Sequence, residues 1–190
     1  MKVALCLTLV ALGVSGCSMA PKRSPIEQST IQSGKPVLLL SMASGSECSF
    51  GLQWVDLINM QNSTAYKYSP LIGQAFLKEG EMLINNPYLK SDFDAVKANV
   101  FAYPLDPGTY SLWLRSSSGY YEKPVLGKVI EMNEGISKYI GELKWVGCSD
   151  LNLTVTDQWS RDEKKFREIY PNLDTSQVIT DILIPAPYSN

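Results

Sequence analysis

From Val37 onward the chain is cut by proline and glycine into short runs, and only one stretch keeps a helical period. That punctuation constrains the fold more than any single residue. Runs of four to eight residues rich in Val, Ile, Tyr and Trp and bounded by turn formers read as strands. Ala95 to Tyr103 alternates, with Val96, Ala98, Val100 and Ala102 on one side and Lys97, Asn99, Phe101 and Tyr103 on the other. Leu151 to Asp157 alternates equally cleanly. A period of two is the signature of a strand with two different faces.

The remaining runs fit the same class. Val37-Leu38-Leu39-Leu40 predicts a buried opening strand, and Phe50 to Met60 a second one. Residues 61–90 are broken by Pro70, Gly73, Gly80 and Asn85-Asn86-Pro87, and predict short strands and a loop. Asp106-Pro107-Gly108 reads as a tight turn, because Pro presets φ and Gly tolerates positive φ. It predicts a hairpin between the Ala95 strand and the one beginning at Tyr110. Asn133-Glu134-Gly135 predicts a second hairpin, between 125–132 and 138–146. Ser160 and Glu163 fit a capping box, with Phe166, Ile169 and Tyr170 as an apolar stripe and Pro171 as a stop. Trp159 is placed as a staple against this helix, and Arg161, Glu163, Lys164, Lys165, Arg167 and Glu168 as a solvated face. Val178 to Ile184 predicts a last strand. The expected class is mainly β: a β-sandwich with one short helix near the C-terminus.

The N-terminus speaks to location. Lys2 is followed by an apolar run, Val3 to Val14, and then by Ser15-Gly16-Cys17. A positive start, a short apolar core and small residues mark a secretory signal. The run is too short to span a bilayer, which takes about 20 apolar residues. Val14-Ser15-Gly16-Cys17 resembles the lipobox of bacterial lipoproteins. The resemblance implies cleavage before Cys17 and lipid on its sulfur. It divides the chain into a signal at 1–16, a lipidated tether at 17–36 and a β-sandwich domain at 37–190. Ser18 after the cysteine, where Asp would mean inner-membrane retention, implies the outer membrane by the Gram-negative sorting rule, with the periplasmic side favoured.

Removing Lys2 with the signal leaves 16 basic against 19 acidic residues, a net charge of −3. No basic stripe appears, which argues against nucleic acid as a partner. Cys6 leaves with the signal and Cys17 takes lipid, so Cys48 and Cys148 remain. In an oxidising compartment such a pair reads as a disulfide. A metal site and a redox pair are the competing readings, both weakened by the lack of any histidine and of a CxxC motif. No cofactor and no metal site is expected.

Leu105-Asp106-Pro107-Gly108-Thr109-Tyr110, Tyr139-Ile140-Gly141-Glu142-Leu143 and Tyr170-Pro171-Asn172-Leu173 are similar to segments of small, uncharacterised bacterial lipoproteins. Those carry a sandwich of the transthyretin or carboxypeptidase-regulatory type. The resemblance covers about residues 100–173 and implies the fold without supplying catalytic residues. Without histidine the chain lacks the usual general base. It also lacks a Gly-x-Ser-x-Gly elbow and a phosphate loop. Asp92 and Asp94 read as a solvated turn, and Trp54, Trp113 and Trp145 as core. Tyr120 and Tyr121, after Ser116 to Gly119, are the candidate binding residues. Two functions fit: a non-enzymatic envelope protein that binds or assembles with an envelope or secretion-machinery protein, and a cell-wall or glycan-acting enzyme or sugar-binding accessory.

Overall fold

Val37-Leu38-Leu39-Leu40 does begin a strand, β1 (Val37–Ser44), and its unbroken apolar run has a structural reason. Both of its faces are covered, so residues of either parity are apolar. Leu38, Leu40 and Met42 point into a core shared with a second sheet, while Val37 and Leu39 point into another cluster beneath helices. The structure is a computed structural model. It describes residues 26, 28–44, 53–61, 81–84, 91–115, 121–124, 127–146 and 152–185.

The remaining elements in chain order are β2 (Gln53–Asn59), β3 (Glu81–Ile84), β4 (Ala98–Pro104) and β5 (Gly108–Arg115). Then come β6 (Tyr121–Pro124), β7 (Ile130–Met132), β8 (Ser137–Val146) and β9 (Asn152–Thr156). β10 (Val178–Thr180) is the last. One five-stranded sheet runs β10-β8-β1-β4, with β9 also on β8. The other runs β3-β2-β5-β6, with β7 also on β5. Leu38, Leu40, Phe101, Ile140 and Leu143 from the first meet Leu57, Tyr110, Leu112, Ile130 and Met132 from the second. The described chain is mainly β, two sheets face to face with a helical layer outside the first.

Neither expected hairpin forms. β4 pairs with β1, and β5 pairs with β2, β6 and β7. The Asp106-Pro107-Gly108 turn therefore arches from one sheet to the other. Leu105 is buried at the arch, and the Tyr110 hydroxyl donates to the Asp106 carbonyl at 2.7 Å. Likewise β7 and β8 lie in different sheets, joined through Asn133-Glu134-Gly135. Gly135 has φ +73°, and its N–H donates to the Gly34 carbonyl at 2.6 Å. Turn chemistry dictates where a chain reverses; which sheet takes the next strand is decided by which faces need covering.

Folded structure is described before Val37, within the segment expected to be tether. Ile26 is buried against Tyr170 and Leu173, and its carbonyl accepts from Asn172 Nδ2 at 3.3 Å. A short helix, α1 (Gln28–Gln32), follows, and Pro36 accepts from the Leu105 N–H at 2.9 Å. From Ile26 on, the described residues of this segment belong to the folded body.

β1 and β8 are parallel, and their register slips by one residue: Leu39 faces Tyr139, but Ser41 faces Glu142. β8 carries the extra residue, a bulge at Ile140-Gly141. Gly141 has φ +110°, and a Cβ there would sit 2.8 Å from Val155 Cγ1 and 3.1 Å from the Thr156 carbonyl. Only glycine fits both the backbone and the space. The bulge puts Tyr139 and Glu142 on the same face of the sheet, which strict alternation would forbid.

Candidate functional site

The second helix, α2 (Trp159–Ile169), lies across that face. Its stripe behaves as its spacing predicts: Phe166 and Tyr170 are buried against Leu39, Val100 and Tyr139, with Ile169 partly buried beside them. Its start differs from expectation. The N-cap is Gln158, with no side-chain cap, so Ser160 lies inside the first turn. Trp159 is the first helical residue and not a staple before it; its N–H donates to Asp157 Oδ1 at 2.9 Å, and its ring lies 5.0 Å from that of Tyr139. Glu163 takes a salt bridge from Arg167 at 2.5 Å and a hydrogen bond from Thr175 at 3.2 Å. Pro171 does follow the helix end, as expected.

The face of α2 that carries Phe166 also carries a buried charge, and the residue before it, Arg161, is partly buried. Asp162 is fully buried. Its Oδ2 accepts from the Ser41 hydroxyl and from the Tyr139 hydroxyl, the latter at 2.7 Å. Its Oδ1 accepts from Arg161 Nε at 2.7 Å. Arg161 continues to Glu142 Oε2 at 2.6 Å, and its guanidinium carbon stands 4.4 Å over the Phe93 ring centroid. Arg161 is thus no part of a solvated face. Three elements contribute: Ser41 from β1, Tyr139 and Glu142 from β8 on either side of its bulge, and the Arg161-Asp162 pair from α2.

The chemistry of this cluster is that of a clasp. A serine beside a carboxyl group resembles a nucleophile and its base, yet a nucleophile needs open approach to a substrate. Ser41, Tyr139 and Asp162 are all at 0% exposure. Both oxygens of Asp162 are occupied by donors, which offsets the loss of water around a buried charge. Burial, then the Asp162 charge and hydrogen bond, raise the Tyr139 hydroxyl far above the usual tyrosine value. Burial pulls Arg161 down, but its bonds to Glu142 and Asp162 outweigh that, and its pKa is raised overall.

The Tyr139 shift has a pH signature. Below about pH 10, the ordinary tyrosine value, folded and unfolded chains both hold the proton and the stability is intact. Above it the unfolded chain loses the proton while the folded one keeps it, so stability falls as pH rises. We expect the denaturation midpoint to drop above about pH 10 more steeply in the native chain than in Tyr139→Phe. Parallel slopes in the two proteins would refute the assignment.

The other sequence candidates separate from this cluster. Cys17, Cys48, Cys148 and Tyr120 lie outside the described residues. Tyr121 opens β6 opposite Arg115. Trp113 is half-buried on β5, while the side chains of Trp54 and Trp145 lie outside the described set. Asp92 does more than line a turn. Its carboxyl accepts from the Val100 N–H at 2.8 Å and its own N–H donates to the Ala98 carbonyl at 3.0 Å, covering part of the outer edge of β4. Among the described residues no group of three potential metal ligands gathers. Among them, too, no helix is long and apolar enough to cross a membrane.

The clasp was missed from sequence, although two signals pointed to it. Ser41 interrupts an apolar run inside a strand buried on both faces. Gly141 sits inside another strand, where glycine marks a bulge or a close approach. Comparison with protein families, with curated proteins and with solved structures finds no match to this chain.

Proposed function

We propose that this chain is a lipid-anchored envelope protein whose β body has a binding or assembly role toward another envelope or secretion-machinery protein. One observation carries the reading: Lys2, the apolar run Val3 to Val14, and Val14-Ser15-Gly16-Cys17 stand in the order that a lipoprotein signal requires. Ser18 in place of Asp favours the outer membrane. The fold supports a non-catalytic role through its most prominent polar cluster. A glycan-cleaving pair needs two carboxyl groups facing a substrate across a cleft. Asp162 and Glu142 are instead covered, at 0% and 5% exposure, and bound to one guanidinium.

Cys17→Ser is expected to abolish palmitate labelling, leave the precursor uncut and remove the protein's crosslinks to an envelope partner in intact cells. Label that persists in this variant would refute the anchor. A lipidated native chain that crosslinks to no protein would remove the partner.

The Cys48–Cys148 disulfide belongs to the same reading. Its support is the register of β1 on β8. The two strands are parallel neighbours, and Ser44 lies opposite Trp145 at their ends. Cys48 is four residues past Ser44 and Cys148 three past Trp145. Neighbouring strands run about 4.8 Å apart, and a bridge needs Cα atoms within about 7 Å. The loop so closed, of about 100 residues, corresponds to about 4–5 kcal/mol in the chain-entropy picture. Alkylation of the exported, denatured protein should find no free thiol until a reductant is added; two thiols before reduction would exclude the bridge.

A further inference from the structure

The two edges of the first sheet are finished differently. At β4 the Asp92 carboxylate accepts from the Val100 N–H at 2.8 Å, and the Asp92 N–H donates to the Ala98 carbonyl at 3.0 Å. Ser91 Oγ accepts from the Ala98 N–H at 3.1 Å. These contacts take up outward main-chain groups that would otherwise pair with another chain. On the opposite edge, β9 and β10 pair with successive stretches of β8.

β10 has no such cover. The Asp181 N–H donates to the Tyr139 carbonyl at 2.9 Å, and the Leu183 N–H to the Ile140 carbonyl at 3.3 Å. Successive main-chain groups of a strand point to opposite edges. Thr180 and Ile182 therefore aim their N–H groups away from β8, and among the described residues neither finds an acceptor. Thr180 is exposed, and so is Ile179, at 48%. The run Val178-Ile179-Thr180-Asp181-Ile182 holds no lysine or proline, the residues that commonly guard an edge.

The side chains beside this edge say what fits it. Ile179 and Asp181 share one side of the strand. Asp181 holds Lys128 on Oδ1 at 3.0 Å and Lys138 on Oδ2 at 3.4 Å. Two ammonium groups share one carboxylate, which leaves one positive charge over. Glu131 gives Lys138 only its main-chain carbonyl, at 2.8 Å, while its carboxylate accepts from Thr109 Oγ1 at 2.9 Å.

We infer that the outer edge of β10 receives an extended strand of another protein chain, with an apolar residue against Ile179 and a carboxylate two residues along against the Lys128–Asp181–Lys138 group. The inference rests on the binding role proposed above and gives it a place on the body. Main-chain bonds at Thr180 and Ile182 supply the attraction, and the alternate side chains supply the choice of sequence.

The test uses the full exported chain, labelled with nitrogen-15, in detergent micelles. The probe is a synthetic peptide, Thr-Val-Thr-Val-Thr-Glu-Thr, blocked at both ends. Amide hydrogen exchange is read residue by residue by NMR. In the free chain Asp181 and Leu183 should exchange slowly and Thr180 and Ile182 fast. Saturating peptide should slow Thr180 and Ile182 by about fivefold or more. Lys in place of Glu should weaken the peptide about threefold, and methylating its main-chain nitrogens should abolish the effect. Thr180→Pro removes an outward donor without touching the bonds to β8, and should abolish the slowing at Ile182; the methylated peptide tests the same bonds on the native chain. Slow exchange at Thr180 and Ile182 in the free chain would show a closed edge and overturn the inference. Slowing that appears on concentrating the chain alone would assign the edge to a second copy and overturn it too. Exchange indifferent to the peptide, in a chain that still crosslinks to an envelope partner, would overturn this edge and leave the binding role standing. A chain that crosslinks to no protein would overturn both.

Discussion

Asp162→Ala is expected to lower the stability of the folded body by about 3–5 kcal/mol, the range for removing one partner of a buried charged pair. The size follows from what is left behind. The Ser41 and Tyr139 hydroxyls would each lose an acceptor in a site with no solvent access. Arg161 would lose one of its two carboxyl partners. Removing a donor instead is milder, because Asp162 keeps the rest. Ser41→Ala and Tyr139→Phe should each cost about 0.5–1.5 kcal/mol. Urea denaturation of residues 26–190 carrying each substitution ranks them. An Asp162→Ala effect no larger than that of Ser41→Ala would mean that water reaches the cluster and that it is no clasp.

The same cluster shows what can and cannot be taken from a linear chain. α2 was legible because Phe166, Ile169 and Tyr170 repeat at helical spacing and Pro171 ends the pattern. Its start was not, because Ser160 and Glu163 match the capping pattern by spacing alone. The preference that decides is tertiary: Trp159 packs on Tyr139 and Phe166, drawing the helix start back to Trp159. Asp162 lies four residues before Phe166, so the helical period itself brings it to the face that meets the sheet, with Arg161 at that face's edge. Strand positions were largely legible for a similar reason, since period-two alternation is local. Their pairing was not. Nothing in Asp106-Pro107-Gly108 tells a two-strand reversal from an arch, and Tyr110 and Leu112 are apolar in either case. The bulge at Gly141 reverses the side on which Glu142 falls, and no local propensity reports that. Helix period and turn position are set within a few residues, while sheet membership and burial of charge are set by partners 19 to 121 residues away, as Glu142 is from Arg161 and Ser41 from Asp162.

Phe166→Ala is the second large effect, expected at about 3–5 kcal/mol. Phe166 is fully buried, its ring 6.2 Å from Tyr139, 5.9 Å from Trp159 and 6.2 Å from Tyr170. Truncation leaves a void bordered by three aromatic rings whose positions are held by other contacts, so the site cannot collapse to fill it. Lys165→Ala, one residue earlier, removes a pair with Glu168, whose side chain is 63% exposed, and the packing of a partly buried stem; it should cost less than Phe166→Ala, about 1 kcal/mol. The informative comparison is the double variant. Asp162 and Phe166 both hold Tyr139, one by its hydroxyl and the other by its ring edge. Residues that share a partner couple by about 0.5–3 kcal/mol. Once the clasp is gone and α2 has loosened from the sheet, there is less packing left for Phe166→Ala to remove. The loss in the double variant should therefore fall short of the sum of the single losses. Strict additivity in urea denaturation would show instead that charge and apolar stripe dock the helix independently, and that the bulge which turns Glu142 toward Arg161 matters only to the polar half.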